Sequence, residues 1–516
     1  MASTPQNPSD ITQKSAYIHR KKLNVRFFRD IILLCIKEIW FMEIIGREKE
    51  RKELKSIFES GKPELVAVYG RRRVGKTFLI DQTFFNNFAF RHVALPPTQN
   101  NKKTTMKDQL RAFKLSLLLA GSKEKKTPKN WLDAFYELIN LLKDDTTKRL
   151  VLFFDELPWM DTPRSNFIGA FTWFWNSWAS KQNNVMVIVC GSSNSYIVNK
   201  LINSHEGLYD RITGKIKLSP FSLKETEQYL LSNGVKLSRF NITQLYMMLG
   251  GIPYYLEKYN RELSFADNID NIFFKKDAKL SLEFDNLFSS TFDNDSLCRN
   301  IVTILNNKNK GYNKVEILKQ LKLKDGGEIS KAFNALIESD FIIKYRPFGG
   351  GKKDELYALT DLFSYFYLRF VKNKSFDDKF LNSNLVSQAF ISWRGYAFEK
   401  ILFIHTNEIL NALRISGIQS ATYLWSKKDD VKGAQVDLII ERKDNIINLC
   451  EAKFINDEFV VDKSYHLNLI NRERLLSESL KKTQSINQVL ITTVGLKRNE
   501  YSDDFTNVIL LDDLFI

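Results

Sequence analysis

The first part of the chain alternates short apolar runs with amphipathic stretches. Three runs of five or six residues, at 65–69, 150–154 and 185–190, have the length and composition of strands that are buried on both faces. The stretches at 47–60 and 131–143 carry apolar residues at helical spacing. Strands of this kind, separated by helices, predict a parallel and doubly wound α/β sheet.

From about residue 215 the pattern is mostly helical. Three short helices are predicted at 296–307, 314–323 and 328–340, and two apolar segments around a glycine-rich loop follow them between 341 and 359. Three helices followed by a hairpin are typical of a winged helix.

After about residue 390 helical and strand patterns are mixed again. A helix is predicted at 394–413, and a β-hairpin at about 435–454 with its turn at residues 443–445. Further strands are predicted at 489–493 and 508–511. This last part is therefore predicted to be a second α/β unit.

The charge of the chain gives an ambiguous indication of its partners. The 516 residues carry a net charge of +16, and a basic balance is compatible with nucleic acid as a partner. Residues 391–516, however, carry −2, so the last unit has no electrostatic signature of tight DNA binding. General solubility, together with phosphate binding in the first half, explains the charge equally well.

The chain lacks several signals that would place it in other classes of protein. The four cysteines form no CxxC or Cys/His cluster, which predicts neither a zinc site nor disulfides and favours a cytoplasmic setting. No run of 18 apolar residues occurs, so no membrane span is expected. The apolar residues at 31–35 lack the flanks of a signal peptide. The first 41 residues are predicted to be a disordered or loosely helical extension.

A complete phosphate-binding motif follows the first apolar run. Residues 70–77, with the sequence GRRRVGKT, match GxxxxGK[ST] between a predicted strand and a predicted helix, which is the context that this motif requires. We expect Lys76 to reach the β- and γ-phosphates of ATP and Thr77 to ligate Mg²⁺, while backbone N–H groups surround the phosphates. The alternative is a chance match in a turn. The residues expected to contact the nucleotide are Gly70, Arg71, Arg72, Arg73, Val74, Gly75, Lys76, Thr77 and Phe78.

Acidic and polar residues at the ends of the next two strands are the expected partners of this loop. Asp155 is predicted to hold the Mg²⁺ shell, and Glu156 to polarise the attacking water. Ser192 is a candidate sensor of the γ-phosphate, and Arg211 is a candidate for stabilising charge in the transition state. An acidic turn, a plain turn and a solvated ion-pair residue are the respective alternatives.

These motifs occur in an order that resembles the archaeal-type P-loop ATPases, which are related to the STAND and origin-recognition AAA-like ATPases. The resemblance covers about residues 42–370 and implies that Arg47 and Pro253 line the adenine end of the site. It also implies a helical lid and a winged helix after the ATPase core. The segments that carry it are Gly46-Arg47-Glu48, residues 70–77, Phe154-Asp-Glu156, Cys190-Gly-Ser-Ser193 and Gly250-Gly-Ile-Pro253.

A second group of polar residues is predicted in the last unit. Folding the hairpin about residue 444 places Asp437 opposite Glu451, with Lys453 on the same face as Glu451. Glu399, on the preceding helix, is expected to join them. Close carboxylates repel each other unless a cation lies between them, and oxygen ligands suit a second Mg²⁺ or an Mn²⁺ that activates water. The alternative is a solvated charged face.

This second group resembles the PD-(D/E)xK restriction-endonuclease-like fold, whose pattern is a helix Glu, a strand Asp and a Glu-x-Lys. The resemblance implies that Glu399, Asp437 and Glu451 are metal ligands, and that Asp437, Glu451 and Lys453 are catalytic. Gln435 stands where relatives often carry Glu, and the Pro of the formal name is absent. A nuclease fold that no longer cuts is the alternative.

Two hypotheses follow for the whole chain. In the first, the nucleotide state gates a metal-dependent nuclease, and the winged helix binds DNA. In the second, the protein is a STAND-like regulatory switch that hydrolyses ATP slowly and acts on a protein partner or on its own oligomer, with a winged helix that makes only protein contacts. The side chains predicted to face DNA are Lys331, Asn334, Arg346, Lys352 and Lys353.

The predicted fold class is therefore α/β: a P-loop NTPase parallel sheet with a helical lid, then a winged helix, then a restriction-endonuclease-like α/β domain. The predicted segments are the extension at 1–41, the P-loop ATPase core at 42–215, the lid at 216–290, the winged helix at 291–372 and the nuclease-like domain at 385–516.

Overall fold

The computed structural model describes residues 44–99, 102–145, 148–203, 208, 210–372, 376–427 and 433–516. The predicted extension at residues 1–41 lies outside the described residues. In the described ranges, no helix is long and apolar enough to cross a membrane.

The first part of the chain is built on a five-stranded parallel sheet. Its strand order is β2-β5-β6-β1-β7, and all four pairs of neighbouring strands are parallel. The predicted parallel α/β sheet is thus confirmed. The strands are β1 (Glu64–Gly70), β2 (Phe88–Val93), β5 (Leu150–Asp155), β6 (Val185–Gly191) and β7 (Gly214–Leu218), with a small outlying pair formed by β3 (Thr98–Gln99) and β4 (Lys102–Lys103).

Helices cover both faces of this sheet, because β1, β5 and β6 are apolar on both sides. One face packs against a cluster of aromatic side chains that includes Phe113, Phe135 and Phe154. The helices are α1 (Glu48–Phe58), α2 (Lys76–Phe84), α3 (Met106–Leu119), α4 (Trp131–Leu142), α5 (Phe167–Ser177) and α6 (Asn194–Tyr196), with 3-10 turns at Leu157–Met160 and Ala179–Lys181 and a π-helical segment at Ile197–Ile202.

Two strands of the sheet were not predicted. β7 alternates Lys with apolar residues and lies at one edge, and β2 lies at the other edge. Because β7 pairs with β1 and runs to Leu218, the sheet extends past residue 215, where the core was predicted to end. The predicted lid at 216–290 therefore begins inside a strand.

A helical region follows the sheet and leads into a small mixed unit. The helical region contains α7 (Leu223–Ser232), α8 (Arg239–Leu249), α9 (Pro253–Leu256), α10 (Phe265–Phe273) and α11 (Glu283–Thr291). The next part, residues 295–370, is called the middle unit below. It contains α12 (Asp295–Leu305), β8 (Tyr312–Asn313), α13 (Lys314–Leu321), α14 (Gly327–Glu338), β9 (Ile342–Tyr345), a 3-10 turn at Lys352–Asp354, β10 (Leu356–Leu359) and α15 (Leu362–Phe370).

The strands of the middle unit form an antiparallel sheet in the order β8-β10-β9. Three helices and this sheet agree with the elements predicted there from the sequence. Local signals explain the boundaries. Asn313 and Glu316 form a capping box at the start of α13, which fixes where that helix begins.

The C-terminal region contains a sheet of mixed strands. Its order is β11-β12-β13-β14-β15, with β11, β12 and β13 antiparallel and β13, β14 and β15 parallel. The elements are α16 (Phe380–Asn384), α17 (Gln388–Ile404), α18 (Thr406–Ala412), β11 (Ser420–Lys427), β12 (Ala434–Arg442), β13 (Ile446–Lys453), α19 (Lys463–Ser477), β14 (Ser485–Thr492) and β15 (Asn507–Leu510), with 3-10 turns before β15 at Ser502–Asp504 and after it at Leu511–Phe515.

The predicted hairpin in this sheet has the expected register. Leu438 lies opposite Cys450, so the hairpin is centred on residue 444. Asn445 adopts a φ of +68°, which Asn tolerates in tight turns. The single helix predicted at 394–413 is wrong in one respect, because His405 leaves the helical conformation and divides it into α17 and α18.

Candidate functional site

The loop between β1 and α2 carries the predicted phosphate-binding motif. Gly70 has a φ of +147°, and a Cβ atom there would lie 2.1 Å from the carbonyl oxygen of Leu218 on β7. Only glycine fits this conformation and this contact. The loop ends at Gly75, directly before the first turn of α2. Its path therefore brings the loop to a helix N-terminus, which favours a bound anion.

Lys76 and Thr77 begin α2, and both have partners near the loop. The Lys76 ammonium donates hydrogen bonds to Gly70 O at 2.8 Å and to Arg71 O at 2.9 Å. The Thr77 hydroxyl donates to Asp155 Oδ2 at 2.8 Å. A hydroxyl and a carboxylate are hard oxygen ligands, so the Thr77–Asp155 pair fits Mg²⁺, and the buried ammonium fits a phosphate.

Glu156 lies at the end of β5, where Ser192 at the end of β6 holds its carboxylate. Glu156 Oε2 accepts hydrogen bonds from Ser192 N at 3.0 Å and from Ser192 Oγ at 2.9 Å. Its φ of +50° is a left-handed conformation that costs a non-glycine residue roughly 1–3 kcal/mol. Burial raises the pKa of Glu156, although Lys76 opposes this rise. A half-buried carboxylate with a raised pKa fits a group that accepts a proton from water.

Asn194 connects the phosphate-binding loop to the middle unit. Its Oδ1 accepts a hydrogen bond from Gly70 N at 2.7 Å, and its Nδ2 donates to Glu338 O, at the end of α14, at 2.9 Å. The side chain is buried, so both bonds are shielded from water. The side-chain amide of Asn194 therefore hydrogen-bonds both to the first residue of the loop and to the middle unit.

Arg71 makes the second connection between the loop and the middle unit. Its guanidinium forms a two-point ion pair with Asp361, the N-cap residue of α15, and lies 4.4 Å from the ring centre of Phe341. Arg71 is 1% exposed. Burial alone would lower the pKa of Arg71, but Asp361 raises it above the usual value. The side chain is thus engaged by a protein partner, which leaves the backbone of Arg71 for the nucleotide.

Arg73 connects the loop to the helical region in a similar way. Its Nη1 lies 2.5 Å from Glu283 Oε2 at the start of α11, and its guanidinium lies 4.1 Å from the ring centre of Tyr254. Tyr255 OH donates to the other oxygen of Glu283 at 2.8 Å. Two arginines of the motif therefore reach acidic residues that come much later in the chain.

Arg47 supports the loop from the N-terminal side. Its Nη2 donates to Val74 O at 3.3 Å and to Ser219 O at 2.7 Å, and its backbone N–H donates to Glu225. Burial lowers the pKa of Arg47. Arg47 and Arg71 line a cavity of about 540 Å³ between the loop, the helical region, the middle unit and the end of α17. This volume lies in the range of small-molecule sites, roughly 300–1,000 Å³.

The remaining predicted nucleotide residues lie on the same elements. Val74 is buried, Arg72 is half-buried, Phe78 is exposed on α2, and Pro253 opens α9. Arg211 is exposed on the turn before β7. In the described part of the chain, no hydrogen bond or ion pair joins its side chain to the loop or to Glu156. Its role in the transition state stays a prediction.

In the C-terminal region, the carboxylate of Glu451 is surrounded by donors. It forms ion pairs with Lys453 Nζ at 2.6 Å and Arg472 Nη1 at 2.5 Å, and it accepts a hydrogen bond from Tyr465 OH at 2.8 Å. Burial would raise the pKa of Glu451, but Lys453 and Arg472 outweigh it and lower the pKa to about 2. Glu451 and Lys453, which were predicted to lie on one face of the hairpin, form an ion pair.

Asp437 and Glu399 contact the middle unit. Asp437 Oδ2 accepts a hydrogen bond from Ala452 N at 3.1 Å, and Lys310 Nζ lies 3.9 Å from Asp437 Oδ1. Asn309 Nδ2 donates to Glu399 Oε2 at 2.5 Å. Asp437 is buried and Glu399 is half-buried at this contact, and they line the same small cavity.

Burial and a neighbouring carboxylate raise the pKa of each of these two acids. Burial, followed by the charge of Asp437, raises the pKa of Glu399 to about 8. Burial, followed by the charge of Glu451, raises the pKa of Asp437 to about 6. Lys310 opposes both shifts. This lysine, which was not predicted, is therefore part of the electrostatics of the cluster.

The predicted second metal site does not fit a cation in this conformation. Across the described ranges, no group of three or more His, Cys, Asp or Glu side chains is arranged to hold a metal ion. Positively charged side chains of the protein lie where a metal ion would bind. Lys453 and Arg472 pair with Glu451, and Lys310 lies beside Asp437.

Sequence reasoning missed several of these partners for different reasons. Asn194 stands two residues after Ser192, so its position after a strand was a usable signal. Tyr465 and Arg472 are seven residues apart on α19, which puts them on one helix face. No spacing rule links Arg71 to Asp361, because 290 residues separate them.

One family model and one relative match parts of the chain. Residues 44–259 match a family described as an ATPase domain predominantly from Archaea. An uncharacterized protein of Methanocaldococcus jannaschii is 25% identical over 402 residues, which cover 77% of this chain and 83% of that protein.

Three solved structures are also similar to this chain. The Walker-type ATPase of Pyrococcus abyssi is 17% identical, with a TM-score of 0.48 and coverage of 64% of this chain and 97% of that one. The ORC2 protein of Aeropyrum pernix is 12% identical, with a TM-score of 0.38 and coverage of 63% and 92%. A STAND protein with a tetratricopeptide repeat sensor from Pyrococcus horikoshii is 14% identical, with a TM-score of 0.30 and coverage of 73% and 52%.

Proposed function

Starting from the archaeal-type ATPase domain at residues 44–259, we propose that this chain is an ATP-hydrolysing switch whose nucleotide state controls a DNA-cleaving C-terminal module. The middle unit acts as a winged helix that transmits the nucleotide state and contacts DNA. The observation that carries the proposal is the buried ion pair between Arg71, in the phosphate-binding loop, and Asp361, in the middle unit. A nucleotide that rearranges the loop must also act on this pair.

Different residues of the site serve nucleotide binding and hydrolysis. Lys76 leaves its loop carbonyls for the β- and γ-phosphates, and Glu156 orients a water and accepts its proton. Ser192 keeps the Glu156 carboxylate in place through two hydrogen bonds. Thr77 and Asp155 are the residues that would hold Mg²⁺, which supplies positive charge against the phosphates when it is bound.

Replacing Glu156 with glutamine is expected to lower kcat for ATP hydrolysis by about 100-fold, because the amide cannot accept a proton from water. Glutamine retains an oxygen that accepts the Ser192 hydrogen bonds, so ATP binding should stay within about threefold of wild type. Phosphate release and titration with a fluorescent ATP analogue measure the two quantities. Glu59→Gln, at the exposed end of α1, is the matched control. Equal kcat values for Glu156→Gln and wild type would remove Glu156 from the reaction.

The cleavage half of the proposal is supported by the C-terminal hairpin. Its register brings Asp437 and Glu451 to the same end of adjacent strands, and Lys453 pairs with Glu451. Glu399, on α17, lines the same small cavity as Asp437. A helix acid, a strand acid and a Glu-x-Lys are the residue types that the nuclease-like fold requires, and their presence in this unit supports the cleavage half.

A paired assay of ATPase and DNA cleavage tests the proposal. Wild type, Lys76→Ala, Lys453→Ala and Lys497→Ala are incubated with ATP, Mg²⁺ or Mn²⁺, and linear, circular and single-stranded DNA. Wild type and the exposed control Lys497→Ala should hydrolyse ATP and cut. Lys453→Ala should hydrolyse ATP with cleavage reduced at least about 100-fold, and Lys76→Ala should lose both activities. If wild type leaves every DNA form uncut, the cleavage half is wrong.

A non-cutting switch is the second candidate, and the surroundings of Glu451 favour it. That carboxylate already has two cations and a tyrosine hydroxyl as partners, which is a stable arrangement without a metal. In this candidate, ATP changes the affinity for a protein partner or for another copy of the chain. Equal cellular activity of Lys453→Ala and wild type, with Lys76→Ala inactive, would favour it over cleavage.

A further inference from the structure

The segment between α12 and β8, residues 306–311, is called the plug loop below. It is anchored on the middle unit at its C-terminal end. Gly311 has a φ of +73°, and a Cβ atom there would lie 1.9 Å from Tyr357 O on β10, so only glycine allows this close approach. Tyr345 OH on β9 donates to Lys310 O at 2.5 Å. The loop is therefore held in a defined shape by the sheet of the middle unit.

Two side chains of the plug loop reach the carboxylate cluster. Asn309 Nδ2 donates to Glu399 Oε2 at 2.5 Å. Lys310 Nζ donates to Val436 O at 2.5 Å and lies 3.9 Å from Asp437 Oδ1. The middle unit thus supplies an amide to Glu399 and an ammonium to Asp437, which are both proposed metal ligands.

The contact closes the cluster. Asp437 is 4% exposed, and the space left between Glu399, Asp437 and the plug loop is about 20 Å³, enough for roughly one water molecule. A Mg²⁺ or Mn²⁺ ion with its remaining waters needs more room. The ammonium of Lys310 would also repel a divalent ion bound to the same carboxylates. Buried Asn309 Oδ1 has no hydrogen-bond partner, so the closed arrangement leaves one polar atom unsatisfied.

We propose that the plug loop is an autoinhibitory element, in which Lys310 beside Asp437 and Asn309 on Glu399 take the place of a divalent cation and keep the C-terminal module inactive until the middle unit moves. This inference rests on the proposed function, because it assigns the regulation of the same carboxylate cluster. It also explains why the described residues form no metal-binding group: the ligands are present, but protein groups occupy them.

The position of the plug loop couples the cluster to the nucleotide site. The middle unit that carries the loop is also the partner of Asn194 and Arg71 at the phosphate-binding loop. Lys217 on β7 adds an ion pair with Asp340, two residues after the end of α14, at 2.6 Å. A change at the phosphate-binding loop therefore reaches the cluster through one connected unit, and ATP binding withdraws the plug.

Metal binding by the full chain without nucleotide tests this inference. Wild type, Lys310→Met and Lys308→Met are titrated with Mn²⁺, and free Mn²⁺ is followed by its paramagnetic resonance signal. Met keeps the length of Lys310 without its charge, and Lys308 is a matched lysine of the same loop that stacks on Tyr312. Lys310→Met should bind one Mn²⁺ at least about tenfold more tightly than wild type and Lys308→Met. The gain should disappear in the double variant Lys310→Met/Asp437→Asn.

The outcomes distinguish a failure of the plug proposal from a failure of the nuclease proposal. Equal Mn²⁺ binding by wild type and Lys310→Met overturns the plug, whatever the DNA assay gives. A gain of Mn²⁺ binding without DNA cleavage supports the plug and removes the cleavage half of the proposed function. If wild type and Lys310→Met both cut DNA without nucleotide and at the same rate, the plug is overturned and the nuclease is sustained. If Lys310→Met does not fold, Lys310→Gln, which keeps a donor for Val436 O, takes its place.

Discussion

Replacing Lys76 with alanine is expected to lower kcat/KM for ATP hydrolysis by about a thousandfold. The ammonium is buried at the start of α2 and is held in the loop by two carbonyl oxygens, so it is preorganised beside the phosphate position. Removing one preorganised donor of this kind costs about 10²–10³ in kcat, and weaker ATP binding adds to the loss. Steady-state phosphate release over a range of ATP concentrations measures the effect.

An exposed lysine of the same domain provides the control. Lys107→Ala, on the solvent side of α3, should hydrolyse ATP at the wild-type rate. Lys76→Ala should retain the thermal melting temperature of the nucleotide-free protein within a few degrees but lose the stabilisation that ATP gives to wild type. Hydrolysis by Lys76→Ala within about threefold of wild type would mean that residues 70–77 are not the site of the reaction.

Replacing Asp361 with alanine is expected to destabilise the protein by about 3–5 kcal/mol, because it leaves the charge of Arg71 buried without a partner. Asp361 also caps α15 by accepting a hydrogen bond from Ser364 N at 2.9 Å, and that cap is lost as well. Phe341 still faces the guanidinium, but a cation–π contact is weaker than the lost ion pair. The midpoint and slope of urea unfolding measure the change.

Two further variants show whether the loss of stability comes from the unpaired buried charge of Arg71 or would follow the loss of any acidic residue. Asp503→Ala removes an acid that is 90% exposed and paired with Arg498, and it should leave the unfolding midpoint unchanged. The double variant Arg71→Met/Asp361→Leu removes both charges and should recover most of the stability that Asp361→Ala loses. An Asp361→Ala midpoint as close to wild type as that of Asp503→Ala would show that this ion pair does not hold the loop to the middle unit.

The parts of the fold that were predictable from the sequence are those encoded by local patterns. The apolar runs that became β1, β5 and β6 are buried on both faces, so their composition alone identified them. β7 was not predicted, because it lies at a sheet edge and alternates lysines with apolar residues over only five positions. The hairpin register was predictable because a two-residue periodicity and a short turn determine which side chains face each other.

The candidate site was predictable only in part, for the same physical reason. Thr77 and Asp155 follow from motifs whose spacing is local or lies at the ends of buried strands. The partners of Arg71 and Asp437 do not follow from any local motif. These contacts depend on how separate units of the chain pack against each other. A lysine in a polar loop such as Lys310 has no sequence feature that distinguishes it from a solvated residue.

Hydrogen exchange of the plug loop with and without ATP tests the central claim, that the nucleotide controls the middle unit, most directly. With saturating ATP and Mg²⁺, amide exchange at residues 306–311 and at residues 338–341 should rise by at least about tenfold in Glu156→Gln, which binds ATP but hydrolyses it slowly. Lys76→Ala should show no change. Unchanged exchange in Glu156→Gln, despite demonstrated ATP binding, would contradict the account.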